Sequence, residues 1–340
     1  GLPSGPTCSF NGAQQPLTAQ GDLPPRASRR CWETQGRSLF VLDVATGKML
    51  RAFDSEDLSA PVSGGVSVFP GDIGNVATRA YFNDSDGVIW RLDVAKSDPA
   101  LWEVRALHDM YPDGAADVAQ PAYAPPVLSV DEEGRVVIIQ ATGDIDRLDD
   151  ITVDNRIVSL TEIPPDGQQG DLQVQLNWKY KLDEGEQVTG PLELFDGKVY
   201  FAGFLSASTA VDACGFGGSR LCGVDYVQSV EGSTDPLPIM TDENGDPVDT
   251  PCLAQLDNKI IMGVRIAQRP RCTIEETAQE PYVRQRVLDQ SGGNFELTAL
   301  VSTPSTDGST QGNEVRFISR NLTPPDRPTQ VEYYSNAVRE

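Results

Sequence analysis

Asp242, Asn244 and Asp246 stand at i, i+2 and i+4 in the segment TDENGDPVD. A bent loop turns alternate side-chain oxygens to its inner side, which is how a calcium loop begins. Hard oxygen ligands at this spacing make calcium the cation to expect. Pro247 occupies the place of the tight-turn glycine in a twelve-residue loop, and Leu253 that of the closing glutamate. The segment therefore reads either as a looser cation site or as an ordinary acidic turn. No Lys or Arg lies between Arg220 and Lys259, so only a cation or a partner would neutralise it locally. A second acidic group, Asp144, Asp146, Asp149, Asp150 and Asp154, fills another connector, with Arg147 and Arg156 at hand to pair with it.

Other chemistry finds little material. His108 is the only histidine, and no base or nucleophile accompanies it in sequence, so a serine triad is not expected. Carboxylate pairs for glycoside chemistry can be chosen at will among 50 acidic residues and so point nowhere. No Walker motif or dinucleotide fingerprint sits in a strand–loop–helix setting. The glycine-rich CGFGGS lies between strands and reads as a cysteine-tied loop. No enzymatic activity is expected.

The 340 residues carry 27 Lys and Arg against 50 Asp and Glu, a net charge of −23. That sign argues against nucleic acid and against an anionic membrane surface. It suits a divalent cation or a basic protein partner, and solubility alone explains it equally well. No apolar run is long enough for a membrane helix, so none is expected. The sequence opens at Gly1 without the basic, apolar and small-residue series of a signal peptide, as a processed or truncated chain would.

Cys8, Cys31, Cys214, Cys222, Cys252 and Cys272 have neither zinc nor haem spacing. An even count in a loop-rich acidic chain favours an oxidising compartment. Sequence neighbours are the simplest pairing: Cys8–Cys31, Cys214–Cys222 and Cys252–Cys272. Loops of that length would each contribute about 2.5–3.5 kcal/mol by the chain-entropy model.

These residues need elements to hold them. Residues 1–35 read as an irregular arm rich in Pro, Gly, Gln and Arg; 36–340 read as one β domain. Alternation in GRSLFVLDVATGK gives a strand, a turn and a returning strand to Phe53. The pattern returns at 75–94, with Asn83–Gly87 as its turn. It returns again at 135–160, and at Lys198–Phe204 with Arg220–Tyr226 across an expanded connector. Asp43, Asp93, Glu162 and Asp225 take equivalent places, 50, 69 and 63 residues apart. Such an anchor carboxylate is expected to accept backbone N–H groups in the following turn. Asp98–Tyr111 is the best helix candidate. Beyond residue 255, NKIIMGVRIA, NFELTALVS, NEVRFISRNL and TQVEYYSNAV read as strands. Repeats of this length predict an all-β, β-propeller-like fold of five or six blades, incomplete or distorted, with long inter-strand insertions. One such blade cannot bury both faces alone and must stack on its neighbours.

The segments GRSLFVLDVATGK, RAYFNDSDGVIWRLDV, CGFGGSRLCGVDY and QPAYAPPVLSVDEEGRVVIIQATGD resemble the C-terminal propeller of bacterial type IV pilus tip proteins, the PilY family. The resemblance runs from Gly36 to Tyr226. It implies an exported protein at the pilus tip, reached through the periplasm, supporting pilus assembly, twitching motility and surface adhesion. Its partners would be minor pilins or pilus subunits, and host or abiotic surfaces. Short exposed strand edges would let such a module accept a partner's strand. The resemblance also implies calcium in the propeller, for which Asp242, Asn244 and Asp246 are the candidates. The blades are shared with quinoprotein-like, calcium-dependent dehydrogenases, the alternative function. That chemistry would need a quinone over an aromatic platform and a catalytic Asp near the axis.

Overall fold

The protein is described here from a computed structural model. It covers residues 32, 36–70, 76–112, 119–144, 154–163, 173–206, 217–242, 246–257, 259–269, 294–303 and 314–322.

Five antiparallel sheets follow one another along the chain. The first holds β1 (Leu39–Leu42) and β2 (Met49–Phe53). The second runs β3 (Ser67–Phe69), β4 (Arg79–Asn83), β5 (Val88–Asp93) and β6 (Glu103–Asp109), in that spatial order. The third repeats this meander with β7 (Val127–Val130), β8 (Val136–Ala141), β9 (Arg156–Ile163) and β10 (Gln173–Lys181). The fourth places β11 (Glu186–Val188), β13 (Lys198–Leu205), β14 (Gly218–Ser229) and β15 (Pro236–Pro238) side by side. Here β12 (Glu193–Phe195) also pairs with β13, and β16 (Leu256–Asp257) with β14. The fifth is β17 (Ile260–Arg269), β18 (Asn294–Thr303) and β19 (Glu314–Leu322). The expected pairs β4–β5, β8–β9 and β13–β14 are all present. TQVEYYSNAV lies outside the described residues.

Period-two alternation explains why the sheets stack. In β8, Val137 and Ile139 point one way and meet Val199, Phe201, Cys222 and Val224 of the fourth sheet. Val136 and Ile138 point the other way and meet Tyr81, Ile89 and Leu107 of the second. Both faces are apolar, so both must be covered. A further core joins the first sheet, through Leu39, Val41 and Phe53, to Phe82, Trp90 and Leu92 of the second. Another joins Tyr200, Ala202 and Leu221 of the fourth to Ile261, Val264 and Leu297 of the fifth. Each consecutive pair of sheets thus shares its own apolar layer.

Two hairpins are closed by one device. Asp84 Oδ1 accepts the backbone N–H groups of Asp86 and Val88, each at 2.9 Å. Asp131 Oδ1 accepts those of Glu133 at 3.1 Å and Arg135 at 2.8 Å. Each turn ends in a glycine of positive φ, Gly87 at 74° and Gly134 at 77°. Gly87 is doubly required, since a Cβ there would lie 2.8 Å from Cε2 of Tyr111.

Three expectations are corrected. Asp98–Tyr111 is not a helix. Asp98 does cap, accepting the Ala100 N–H at 2.9 Å, but only a single 3-10 turn, Pro99–Leu101, follows before β6. Glu103–Asp109 alternates in burial and pairs with β5, which outweighs the cap. The disulfide is Cys222–Cys252, which excludes both Cys214–Cys222 and Cys252–Cys272. Cys222 lies within β14, and the chain returns after β15 to lay Cys252 directly opposite it. Cys8 and Cys31 lie outside the described residues. The anchor role holds for Asp43 and Asp225, which accept N–H groups of Thr46 and of Val227 and Gln228. It fails for Asp93 and Glu162: Asp93 receives Arg91, and Glu162 points into the interface between the second and third sheets.

Candidate functional site

The acidic segment forms the neck of a hairpin. Thr241 bridges Pro247, and Val248 donates its N–H to the Met240 carbonyl at 3.0 Å. Asp242 and Asp246 then face one another, exchanging Asp242 N–H to the Asp246 carbonyl at 2.8 Å. One carboxylate oxygen of Asp242 receives the Asp246 N–H at 2.9 Å. The fold therefore sets the backbones of Asp242 and Asp246 opposite one another, and one Asp242 carboxylate oxygen stabilises the neck. Asn244 lies outside the described residues. No group of three metal-ligating side chains occurs among the described residues. Of the other acidic connector, Asp144 and Asp154 are described. Asp154 meets Arg156 and Lys181, each at 3.2 Å, as expected for a pairing loop.

The strongest electrostatic centres lie elsewhere, where neighbouring strands and sheets meet. Glu162 is buried; it accepts the Tyr81 hydroxyl at 2.7 Å and pairs with Arg79 at 2.5 Å and Arg91 at 3.1 Å. Arg91 in turn reaches Asp93 at 2.5 Å. Burial, then the Glu162 charge, pushes the Tyr81 hydroxyl far up its range, so it stays a donor. A second centre lies within the fourth sheet. Arg220 pairs with Glu186 and with Asp183, the latter at 2.9 Å. Glu186 crosses over Gly203, where a Cβ would lie 2.2 Å from its carboxylate. Glu162 was legible as a repeat acid. Its partners were not, because they lie 71 and 83 residues away.

The third centre ties down the start of the domain. Asp84 and Asp86 are fully buried on the β4–β5 turn. Trp90 Nε1 donates to Asp84 at 2.8 Å, and Trp32 Nε1 to Asp86 at 2.9 Å. Burial, then the charge of Asp86, raises the Asp84 carboxyl. Trp32 itself is thereby tied to the second sheet. His108 lies on β6 opposite Ile89. Burial, against a smaller opposing influence of Asp109, holds its imidazole down at about 4. These groups fix geometry and bring no nucleophile–base pair together.

Several large apolar side chains are also exposed at the first sheet and the edge of the second. Phe40 and Leu42 of β1, Met49 and Leu50 of β2, and Val66 and Val68 at β3 are exposed. No helix among the described residues is long and apolar enough to cross a membrane.

No family model matches the chain. No curated protein matches it either. Among solved structures it is similar to extracellular domains 1–2 of Drosophila Semaphorin 1b, at 10% identity and a TM-score of 0.29. The likeness covers 80% of this chain and 60% of that one, and at such a score it carries no argument.

Proposed function

We propose that this chain is a protein-binding module of a type IV pilus tip protein, built as a β-propeller-like stack, exported to the cell surface, where it supports pilus assembly and adhesion. The observation that carries the reading is the serial stack itself: antiparallel sheets in chain order, with an apolar layer between each consecutive pair. Blades of a propeller are built this way. A rigid stack presents its loops and edges at fixed positions, which suits recognition. The Cys222–Cys252 bond agrees with passage through an oxidising compartment. Minor pilins are the partners the reading names, and the charge of −23 favours a basic face on them.

The test is a pull-down of purified minor pilins on the immobilised chain, alongside pilus counts in cells whose copy lacks this region. Binding of a pilin together with loss of surface pili supports the reading. Unchanged piliation, adhesion and twitching with no pilin bound contradicts it.

Calcium belongs to the same proposal. The backbone of Asp246 lies against the Asp242 carboxylate, and Asn244 lies between them in sequence. With one oxygen of Asp242 engaged and Pro247 in the turn, affinity should fall near that of weak extracellular sites, about 10⁻⁴–10⁻³ M. Calorimetry with calcium should show binding in that range, and D242N/D246N should abolish it. No heat up to about 10⁻² M, well above that range, would leave the segment an acidic hairpin.

A further inference from the structure

The first sheet is half the size of the two that follow it. It holds two strands where the second and third each hold four. Matching Asp43 to Asp93 places Leu39, Phe40 and Leu42 on Ile89, Trp90 and Leu92, so β1 is the counterpart of β5. In the second sheet the far edge of β5 is taken by β4, and β4 in turn by β3. In the first sheet β1 pairs with β2 alone among the described residues. Among the described residues no counterpart of β3 or β4 pairs with it.

The next sheet records the same gap. Val68 pairs with Ala80, and Ala80 with Leu92, so the three share a face. That face looks toward the first sheet. Ala80 and Leu92, which β1 and β2 help to cover, are buried. Val68 is 50% exposed and Val66, two residues before it on the same side, is 48% exposed. Among the described residues the far edge of β1 carries no strand and Val66 and Val68 are left in solvent, while on the opposite face of β1 the side chains of Phe40 and Leu42 are 58% and 56% exposed.

We propose that this slot accepts an extended strand from a basic partner protein, added to the edge of β1 with alternate apolar side chains on Val66 and Val68. Edge addition gives affinity through main-chain hydrogen bonds and selectivity through alternate side chains. The slot fits a short strand, since β1 spans four residues. Charge selects the donor. A second copy of this chain brings another −23 and is repelled, whereas a strand flanked by Lys or Arg is attracted. This rests on the protein-binding reading above and names the face and the chemistry of its partner.

The probes are two fluorescent nine-residue peptides, KVKVTVKVK and its acidic counterpart EVEVTVEVE, titrated against the intact chain and followed by anisotropy. The basic peptide should bind at least tenfold more tightly than the acidic one, and its affinity should fall as salt rises. Val66→Lys with Val68→Lys, both at exposed positions, should weaken the basic peptide at least tenfold while melting like the parent. Equal binding of both peptides overturns the proposal, as does failure of the basic peptide to bind the intact chain. Undiminished binding to the correctly folded V66K/V68K chain also overturns it. The same double variant in cells separates this proposal from the pilus reading. Peptide binding lost with normal piliation sustains the slot and counts against its use in pili; pili lost without any peptide binding sinks the slot alone.

Discussion

The third sheet and the first are made of similar residues and meet different fates. Every residue of β8 is buried, because Val137 and Ile139 serve the fourth sheet while Val136 and Ile138 serve the second. In β1 burial alternates: Leu39 and Val41 turn inward, and Phe40 and Leu42 stay in solvent. Position in the stack, rather than composition, decides how much each apolar side chain contributes. Among the described residues the third sheet is covered on both faces, whereas the first is covered on one and leaves Phe40 and Leu42 in solvent on the other.

The largest expected effect lies where two faces are buried. Phe201→Ala removes a fully buried ring between the third and fourth sheets and should cost about 3–5 kcal/mol. Denaturant unfolding should show a lower midpoint with an unchanged slope. The disulfide sits in the same layer. Cys222 and Cys252 close a loop across a separation of 30 residues, so replacing both with Ala should cost about 3–4 kcal/mol by the chain-entropy model. Reducing agent should lower the melting temperature of the parent by more than that of the double variant.

Ion pairs between sheets come next. Glu162→Gln keeps the shape but leaves Arg79 and Arg91 facing a neutral amide. Because Arg79 keeps contact with solvent, the loss should be about 2–3 kcal/mol, less than for a fully buried pair. A double-mutant cycle with Arg91→Met measures the coupling.

The pH response is smaller and has a definite sign. The His108 imidazole lies at about 4 in the fold against 6.5 in the open chain. The unfolded chain therefore takes up the proton first. The neutral ring's contribution is complete above the unfolded value and is lost as pH falls from 6.5 toward 4. The difference in melting temperature between His108→Gln and the parent should therefore shift in favour of the variant as pH falls from about 6.5 to 5, a comparison in which the raised Asp84 carboxyl is common to both chains. The smallest effect belongs to the first sheet: Phe40→Ser should change stability by no more than about 0.5 kcal/mol.

Local signals in the sequence carried the fold a long way. The hairpin β4–β5 could be read because alternation and a short polar turn act within a few residues, and β8–β9 and β13–β14 because their strands repeat the same alternation across expanded connectors. Asp98 misled because its capping signal is real and local, while the pairing of Glu103–Asp109 with β5 is a tertiary fact. The disulfide was hidden for a related reason. Nothing near Cys222 in sequence reveals that a later segment returns opposite it. For the candidate ligands, the spacing placed Asp242 and Asp246 four residues apart on one turn, and the structure pairs their backbones across the neck of a hairpin. The spacing did not foretell that one carboxylate would hold the neck of its own hairpin.

Amide hydrogen exchange, read strand by strand, tests the central contrast most directly. The account predicts that amides of Val136–Ala141 and Arg156–Ile163 exchange only through global unfolding. It predicts that Leu39–Leu42, which donates to β2 on one side alone, loses protection through local opening several kcal/mol below the global value. Equal protection of β1 and β8 in the isolated chain would contradict it, because the first sheet would then have no open edge.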